Sequence, residues 1–200
     1  MDWLYHYIMQ IITKEDLKVR KKEIIQKIRD GHIFIYPTDT IYGIGCNALN
    51  DDSVKKIREI KGRQDMPFSI IAPNKAWIRQ YCETGDKMKF IKWIKEIPGP
   101  VTLILKLKDE EAISEETNKG IGTLGVRIPN HWISELVEEA GIPIITTSAN
   151  KVGEDSMTSI EDLDPEIKRY VDFIIYEGEL HGRPSKLINL TLETPEIIER

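Results

Sequence analysis

Apolar runs that end in short polar segments are the feature of this 200-residue sequence that most constrains its fold. The run at 33–35 leads into YPTDTIYGIG at 36–45, where a loop is predicted at 38–45, and the run at 143–145 leads into TSAN at 147–150. Between them, Lys61 and Arg63 place two cations just beyond a predicted helix. Strand ends that offer hydroxyls, backbone N–H groups and fixed positive charge can form a site for a polyanion such as a nucleoside triphosphate.

The hydrophobic periodicity predicts several helices. Thr13 and Asp16 form a capping box, and apolar residues then recur at helical spacing until Gly31. The acids at 51–52 begin a second helix of about ten residues, which Gly62 ends in the left-handed conformation. Two more helices are predicted, one at 87–97 with Met88, Ile91 and Ile94 on its apolar side, and one at 131–140 that buries Trp132, Leu136 and Val137.

Short apolar runs between these helices predict strands. We expect them at 33–36, 101–107, 124–128, 142–147, 171–176 and 187–190. Because strands interleave with helices, the predicted fold class is α/β, a single domain with a twisted, mostly mixed sheet flanked by helices. A 200-residue chain that is 40% hydrophobic suffices for one core. We therefore expect an N-terminal extension at 1–12 and one domain at 13–200, with ligands beyond the strand ends.

Composition argues against several classes of protein. A net charge of −5 argues against a protein that coats nucleic acid non-specifically. Cys46 and Cys82 give neither a disulfide framework nor metal-ligand spacing, which fits a reducing cytosol. The apolar segment 1–12 is too short to span a bilayer and lacks the pattern of a signal peptide. We therefore expect a cytoplasmic protein without a membrane segment or a metal centre.

The order of the motifs resembles one family. PTDTxYGxG, KxR, PGPVT, GVRIP and SAN follow one another, with a late serine, across residues 13–200. This arrangement resembles the YrdC-like proteins, the threonylcarbamoyl-AMP synthases of tRNA modification. Long motifs in the right order carry more weight than an isolated GxGxxG. The resemblance implies a twisted sheet flanked by helices, with a concave electropositive face.

The resemblance also implies a reaction. Such an enzyme joins L-threonine, bicarbonate and ATP into threonylcarbamoyl-AMP and releases pyrophosphate, and a tRNA-modifying threonylcarbamoyl transferase uses the product. This chemistry needs positioning and charge neutralisation more than a covalent nucleophile. The sequence has no nucleophile elbow and no Walker A motif. Loops and cations would therefore hold the triphosphate, with Mg²⁺ supplied alongside ATP and no tightly bound cofactor.

Four motif positions make up the catalytic set that the resemblance implies. Lys61 and Arg63 would hold the triphosphate, Lys61 as a mobile point charge and Arg63 as a planar fork. Ser148 and Asn150 complete the KxR…SxN signature and would bind phosphate or adenylate.

The resemblance also implies contacts to the amino acid. Thr38 would contact L-threonine, and Arg127 would clamp its carboxylate, because a guanidinium can match a carboxylate with two parallel hydrogen bonds. Four further positions match the family less specifically, namely Thr123 and Ser185 for the substrate, and Ser156 and Arg200 for the nucleotide.

Each of these side chains also has a purely structural explanation. The hydroxyls of Thr38 and Thr40 can cap a turn, and Gly43 and Gly45 can serve only to allow positive φ. The remaining alternatives are a structural ion pair for Arg127, helix capping for Ser148 and Asn150, and complementation of a helix dipole for Lys61.

The chain departs from the family pattern at several positions. Residues 67–72 hold no histidine, although many relatives have one at the end of this strand, near the amino-acid pocket. Gln64 stands where proline is usual, Val152 where serine is usual, and Lys186 where threonine is usual, which adds a cation near the expected site. These changes leave the nucleotide half intact and concern the recognition of threonine.

Two other functions stay open at this stage. A translation or ribosome-maturation factor could bind double-stranded RNA or tRNA on the concave basic face, where Lys55, Lys56 and Arg58 add to the cations at 61–63. The sequence has no RNP1 signature, GXXG loop or aromatic repeat, so we rank weak RNA binding second. A carbamoyl-transferring enzyme of hydrogenase maturation carries the same domain within a longer chain with zinc-finger-like segments, which this sequence lacks.

Overall fold

The computed structural model describes residues 9–63 and 65–199, which form a mixed sheet flanked by helices. The strands are β1 (Gln10–Ile12), β2 (Phe34–Tyr36), β3 (Gly43–Gly45), β4 (Ser69–Ile71), β5 (Cys82–Glu83), β6 (Val101–Leu107), β7 (Thr123–Arg127), β8 (Ile144–Ser148), β9 (Phe173–Ile175), β10 (Lys186–Asn189) and β11 (Glu196–Ile198). The helices are α1 (Lys14–Arg29), α2 (Asp51–Lys61), α3 (Lys75–Tyr81), α4 (Lys87–Trp93), α5 (Glu115–Asn118), α6 (Ile133–Ala140) and α7 (Pro165–Lys168).

The topology confirms the predicted fold class. The strand order is β1-β9-β2-β3-β8-β4-β7-β6-β10-β11, with β5 paired to β6 outside this path. The pairs β1–β9, β9–β2, β4–β7 and β6–β10 are parallel, and the other pairs along the path are antiparallel. Part of the segment predicted as an extension, Gln10–Ile12, forms the edge strand β1. No helix within residues 9–63 and 65–199 is long and apolar enough to cross a membrane.

The first two helices begin and end largely where the sequence indicates. The Thr13 hydroxyl and the Asp16 carboxylate form the predicted capping box of α1. Gly62 ends α2 in the left-handed conformation with φ 60°, as predicted. Asn50, rather than the acids that follow it, caps the start of α2, because its side-chain oxygen accepts a hydrogen bond from the Ser53 backbone N–H. These ends fix the position of Lys61 in the last turn of α2.

The helix predicted at 87–97 is wrong in length, and of its predicted apolar side only Ile94 is buried. α4 ends at Trp93, and a 3₁₀ turn over Ile94–Glu96 follows it. Met88 and Ile91 are 71% and 41% exposed, whereas Phe90 and Trp93 pack against the core. Apolar residues recur at helical spacing on both of these faces of the helix. The face with Phe90 and Trp93 is the buried one, because two aromatic rings have more apolar area to bury.

The helix predicted at 131–140 begins later than expected. α6 starts at Ile133 and buries Leu136 and Val137 as predicted. Trp132 is only half-buried, because its indole Nε1 reaches the carboxylate of Glu177 at 2.8 Å near the surface.

The glycines of the first motif form a strand, which corrects the loop predicted at 38–45. β3 (Gly43–Gly45) pairs antiparallel with both β2 and β8. Neither Gly43 nor Gly45 has positive φ, so that structural explanation for them is wrong. A Cβ at Gly45 would lie 2.0 Å from the carbonyl oxygen of Ile145. Glycine is needed here because the neighbouring backbone approaches too closely for any side chain.

This close approach gives a first prediction. We expect Gly45→Ala to lower the free energy of unfolding by about 1–3 kcal/mol, because the added methyl group forces the backbone of Ile145 to move. Gly85→Ala is the matched control, since a Cβ there meets nothing within 4 Å and its φ is not positive. Urea denaturation measures both variants. Equal unfolding free energies for the two would contradict this account of Gly45.

Candidate active site

Side-chain alternation on the central strands gives one face of the sheet a polar floor. On β7, Leu124 and Val126 belong to the core, while Thr123, Gly125 and Arg127 line a cavity of about 470 Å³ on the opposite face. A strand turns successive side chains to opposite faces, so a Thr-x-Gly-x-Arg pattern builds such a floor. The same alternation on β4 and β6 brings Ser69, Thr102 and Ile104 into the cavity, and the three consecutive residues at the end of β8, Thr146–Ser148, line it as well.

Sequence reasoning missed several of these floor residues. Ser69 and Gly125 are direct neighbours in the register of β4 and β7. A Cβ at Gly125 would lie 2.4 Å from the Ser69 Oγ, so the glycine leaves this part of the floor open. The alternation of hydroxyl or glycine with aliphatic residues along β7 was the available signal. The missed lining residues with polar or absent side chains are Thr40, Gly43, Ser69, Thr102, Gly125, Thr146, Thr147 and Glu154.

The cavity brings most of the predicted site residues together. Eight of the ten line it: Thr38, Arg63, Thr123, Arg127, Ser148, Asn150, Ser156 and Ser185. Lys61 is not among the lining residues and lies behind the segment 148–150. Arg200 lies outside the described residues. Residues from five separate stretches of sequence therefore converge on one side of the sheet.

Lys61 is a buried cation that holds the strand end at Ser148 in place. It is 4% exposed, and its Nζ donates to the carbonyl oxygen of Ser148 at 2.7 Å and to both oxygens of Asn150. Burial, followed by the nearby charge of Arg63, lowers the pKa of Lys61 to about 8. Complementation of the α2 dipole is therefore not the whole role of Lys61, because its ammonium also joins the end of α2 to the segment 148–150.

Ser148 and Asn150 do not cap a helix. Ser148 ends β8, and the chain from 149 to 159 contains no helix. The Asn150 side chain accepts from Lys61 and donates its Nδ2 to the carbonyl oxygen of Glu154. The helix-capping alternative is therefore wrong, and these bonds hold the segment against the cavity.

Arg63 lines the cavity and carries a buried hydrogen-bond donor, its Nε, without a partner in the described part of the chain. Among the described residues, two buried side-chain nitrogen or oxygen atoms lack a hydrogen-bond partner, and they are the Nε atoms of Arg63 and Arg127. Burial, followed by the charge of Arg58, lowers the pKa of Arg63. Buried polar groups without partners are rare in proteins and call for an explanation such as a ligand. Both occur here on cavity-lining arginines.

Arg58 supports the loop that presents Arg63. Its guanidinium donates to the carbonyl oxygens of Arg63 at 3.0 Å, Met66 at 2.9 Å and Glu116 at 2.8 Å. Arg58 is therefore a buried structural cation rather than part of an exposed basic surface. The cluster of cations at 55–63 is correspondingly less accessible than the sequence suggests.

Arg127 is the structural ion-pair partner that was one of its two predicted explanations, and it also lines the cavity. Its Nη2 donates to Asp39 Oδ1 at 2.6 Å and its Nη1 donates to Thr40 Oγ1 at 3.3 Å. Burial lowers the pKa of Arg127, and Asp39 opposes that shift. The Thr38 hydroxyl likewise caps a turn, donating to the Ile41 carbonyl oxygen at 2.7 Å, while it lines the cavity.

The positions that depart from the family pattern differ in how close they lie to the cavity. The strand without a histidine is β4, where Ser69 lines the cavity and Ile71 is buried in the core. Lys186 lies between the lining residues Ser185 and Leu187, as expected, but its own side chain is exposed and pairs with Glu199 at 2.8 Å instead of lining the cavity. Val152 is 64% exposed. Gln64 lies outside the described residues.

Fold and cavity together define an α/β protein with an arginine-lined, hydroxyl-rich cleft on a mixed sheet. The model of the Sua5/YciO/YrdC family, described as telomere recombination, matches residues 26–200. The chain belongs to this family.

Sequence relatives support that assignment. A protein of Methanocaldococcus jannaschii is 38% identical over 179 residues, which cover 88% of this chain and 81% of that protein. A Bacillus subtilis protein named threonylcarbamoyl-AMP synthase is 35% identical over 169 residues. That alignment covers 79% of this chain and 48% of the relative, and the match to a Pyrococcus abyssi threonylcarbamoyl-AMP synthase covers 51% of that relative. The chain thus spans about half the length of the last two proteins.

Solved structures share the fold. The crystal structure of Pyrococcus abyssi Sua5 complexed with L-threonine matches with a TM-score of 0.83 at 30% identity, over 95% of this chain and 56% of that one. Escherichia coli YciO matches with a TM-score of 0.82 over 96% of this chain and 94% of that one. Its identity is 24%, so this second match bears on the fold alone.

Proposed function

We propose that this chain is an L-threonylcarbamoyl-AMP synthase, which condenses L-threonine, bicarbonate and ATP and releases pyrophosphate. The observation that carries the proposal is the pair of buried, unpartnered Nε donors on Arg63 and Arg127, which belong to one cavity. Two guanidinium groups in one hydroxyl-lined cleft suit a substrate pair with two separate anionic groups, a triphosphate and a carboxylate. The names of the relatives point to the same activity.

The nucleotide occupies the side of the cavity formed by Arg63, Ser148, Asn150 and Ser156. Arg63 donates a planar fork to the phosphates, and the hydroxyls and the amide supply further hydrogen bonds. Lys61 adds positive charge from behind the segment 148–150. ATP enters as its magnesium complex, with the ion bound to phosphate oxygens as part of the substrate.

L-threonine occupies the side formed by Thr38, Thr123, Arg127 and Ser185. Arg127 receives its carboxylate, and the hydroxyls on the floor receive its hydroxyl group. The threonine amine adds to the carbon of bicarbonate-derived CO₂ to give a carbamate. A carbamate oxygen then attacks the α-phosphorus of ATP in line, and the bond to the β-phosphate breaks with release of pyrophosphate.

The protein's part in this reaction is positioning and charge neutralisation. Both reactants are held on one rigid sheet, which makes an otherwise bimolecular step effectively intramolecular. Arg63 and Lys61 neutralise the charge that develops on the leaving pyrophosphate. The mixed anhydride then passes to a threonylcarbamoyl transferase that modifies tRNA in the cytoplasm.

Pyrophosphate release tests the proposed function. We expect release from ATP to require both L-threonine and bicarbonate, with threonylcarbamoyl-AMP identified by mass spectrometry. Serine should react about ten- to a hundredfold less efficiently in kcat/KM, because a pocket shaped for one methyl group discriminates by roughly 1–3 kcal/mol. Equal pyrophosphate formation without threonine, or none at any substrate concentration, would contradict the proposal.

The RNA-binding alternative gains no support from the site. Arg58 is buried on backbone carbonyls, and Lys56 pairs with Glu59 at 2.9 Å. The remaining cations of this stretch therefore offer RNA few phosphate contacts, and any binding should be weak and salt-dependent.

A further inference from the structure

Asp39 lies in the first motif, yet it has no role in the reaction as proposed. Its Oδ1 accepts from Arg127 Nη2 at 2.6 Å, and its Oδ2 accepts from the backbone N–H of Asn130 at 2.8 Å. The Asp39 and Arg127 side chains are 11% and 5% exposed. The carboxylate is therefore fixed at both oxygens, and it fixes Arg127 in turn.

Hydrogen bonds and packing hold the segment that carries Asp39 in place. The Thr38 hydroxyl accepts from the backbone N–H groups of Thr40 at 3.1 Å and Ile41 at 3.2 Å. Thr40 Oγ1 accepts from Arg127 Nη1 at 3.3 Å. A Cβ at Gly182 would lie 1.6 Å from the Thr40 carbonyl oxygen, so a second loop packs directly on this segment. Arg127 thus donates two hydrogen bonds to a segment that is itself held in place.

We propose that Asp39 is a positioning residue that sets the orientation of Arg127 toward the amino-acid carboxylate. The inference rests on the proposed function, in which Arg127 receives that carboxylate. A guanidinium has five N–H donors in a rigid plane, so bonds to Asp39 and Thr40 leave a defined set of the remaining donors for the ligand. Without Asp39, Arg127 would be a buried charge without its counter-ion and would turn toward other acceptors.

A purely structural ion pair makes a different prediction. In that case the loss of Asp39 would lower stability and leave the relative affinity for carboxylate ligands unchanged. The position of Arg127 on the cavity favours the positioning role, because the ion pair with Asp39 then holds a residue of the cavity lining. The two roles can therefore be separated by comparing L-threonine with threoninol, which has a hydroxymethyl group in place of the carboxylate.

The experiment uses Asp39→Asn, because asparagine keeps an oxygen that can accept from the Asn130 N–H, while it removes the charge and places an NH₂ donor where Asp39 accepts from Arg127. We expect its KM for threonine to rise at least about tenfold, and its KM for ATP to change by less than about twofold. Calorimetry should show that the preference for threonine over threoninol shrinks by a similar factor. Asp39→Glu should restore part of that preference, since it restores the charge.

Two further variants keep the test decisive. Asp172→Asn is the matched control, since that carboxylate also accepts a backbone N–H, from Ile33 at 2.8 Å, but neither Ile33 nor its ion-pair partner His32 lines the cavity. It should leave the preference unchanged. Thr40→Val removes the second acceptor of Arg127, and it should shift the preference in the same direction as Asp39→Asn by a smaller factor.

The outcomes separate the two proposals. If the wild-type chain prefers threonine to threoninol and Asp39→Asn keeps that preference, the positioning role is wrong, whatever happens to the melting temperature. If the wild-type chain binds neither ATP nor threonine, the proposed function is wrong and this inference falls with it. A lost preference in Asp39→Asn with intact ATP binding supports the inference.

Discussion

Replacing Arg63 by alanine should lower turnover by about a hundred- to a thousandfold, the loss typical when one preorganised electrostatic contact to a transition state is removed. Arg63 lines the cavity, and its Nε has no partner among the described residues. Its guanidinium lies 5.5 Å from the ring of Phe68, so truncation removes one cation–π contact from the fold. Stability should therefore fall by about 1 kcal/mol or less. Threonine-dependent pyrophosphate release and thermal unfolding measure the two effects.

Arg63→Lys and Arg79→Ala sharpen this test. Lysine keeps the charge but cannot form a planar fork, so Arg63→Lys should also lose much of the turnover. Arg79 is an exposed arginine outside the cavity lining, and its replacement by alanine should leave turnover within about twofold. Full activity in Arg63→Ala would remove Arg63 from the site and would weaken the whole assignment of the nucleotide side.

The parts of the fold that the sequence predicted well are those set by local interactions. The capping box at Thr13 and Asp16, the left-handed Gly62 and the long apolar strand at 101–107 all depend on neighbours in sequence. The parts it predicted poorly depend on distant partners. β3 is a strand because Gly45 allows close approach to the Ile145 carbonyl, a contact between residues a hundred positions apart in sequence.

The candidate site follows the same division. The motif residues Thr38, Arg63, Ser148 and Asn150 were found because each lies in a recognisable segment. The hydroxyls on the floor come from isolated positions on four strands, and only the register of the sheet brings them together. Asp39 was visible within the motif, but its bond to Arg127 joins residues that are 88 positions apart. A single sequence does not reveal such pairs.

Lys61 shows how burial changes the meaning of a predicted residue. A cation at an exposed helix end would contribute about 0.3–1 kcal/mol through the dipole. The three bonds from the buried Nζ to Ser148 and Asn150 predict a larger effect of its removal on both stability and activity. A loss of stability in a Lys61 variant therefore does not distinguish complementation of the helix dipole from a role in binding the triphosphate. A property that depends on the charge of Lys61 is needed.

The pH dependence of ATP binding provides that property. The pKa of Lys61 is about 8 in the folded chain, below its ordinary value of 10.5. The ammonium therefore loses its proton as pH rises through about 8, and ATP affinity should fall above that pH, at most about tenfold per pH unit. Lys61→Met should bind ATP more weakly at pH 7 and show no such step. Calorimetric titration of ATP between pH 7 and pH 10 measures both proteins.

Stability should change in the opposite direction over the same range. Between pH 8 and pH 10.5 the unfolded chain keeps the Lys61 proton that the folded chain has lost. The unfolded state then binds more protons, so the free energy of unfolding rises with pH, by at most about 3 kcal/mol relative to Lys61→Met. Lys55→Met is the matched control on the exposed side of α2, and it should leave both trends as in the wild type.

A wild-type ATP affinity that stays constant from pH 7 to pH 10 would show that the Lys61 charge does not act on the triphosphate. Its role would then be limited to holding Ser148 and Asn150 in place.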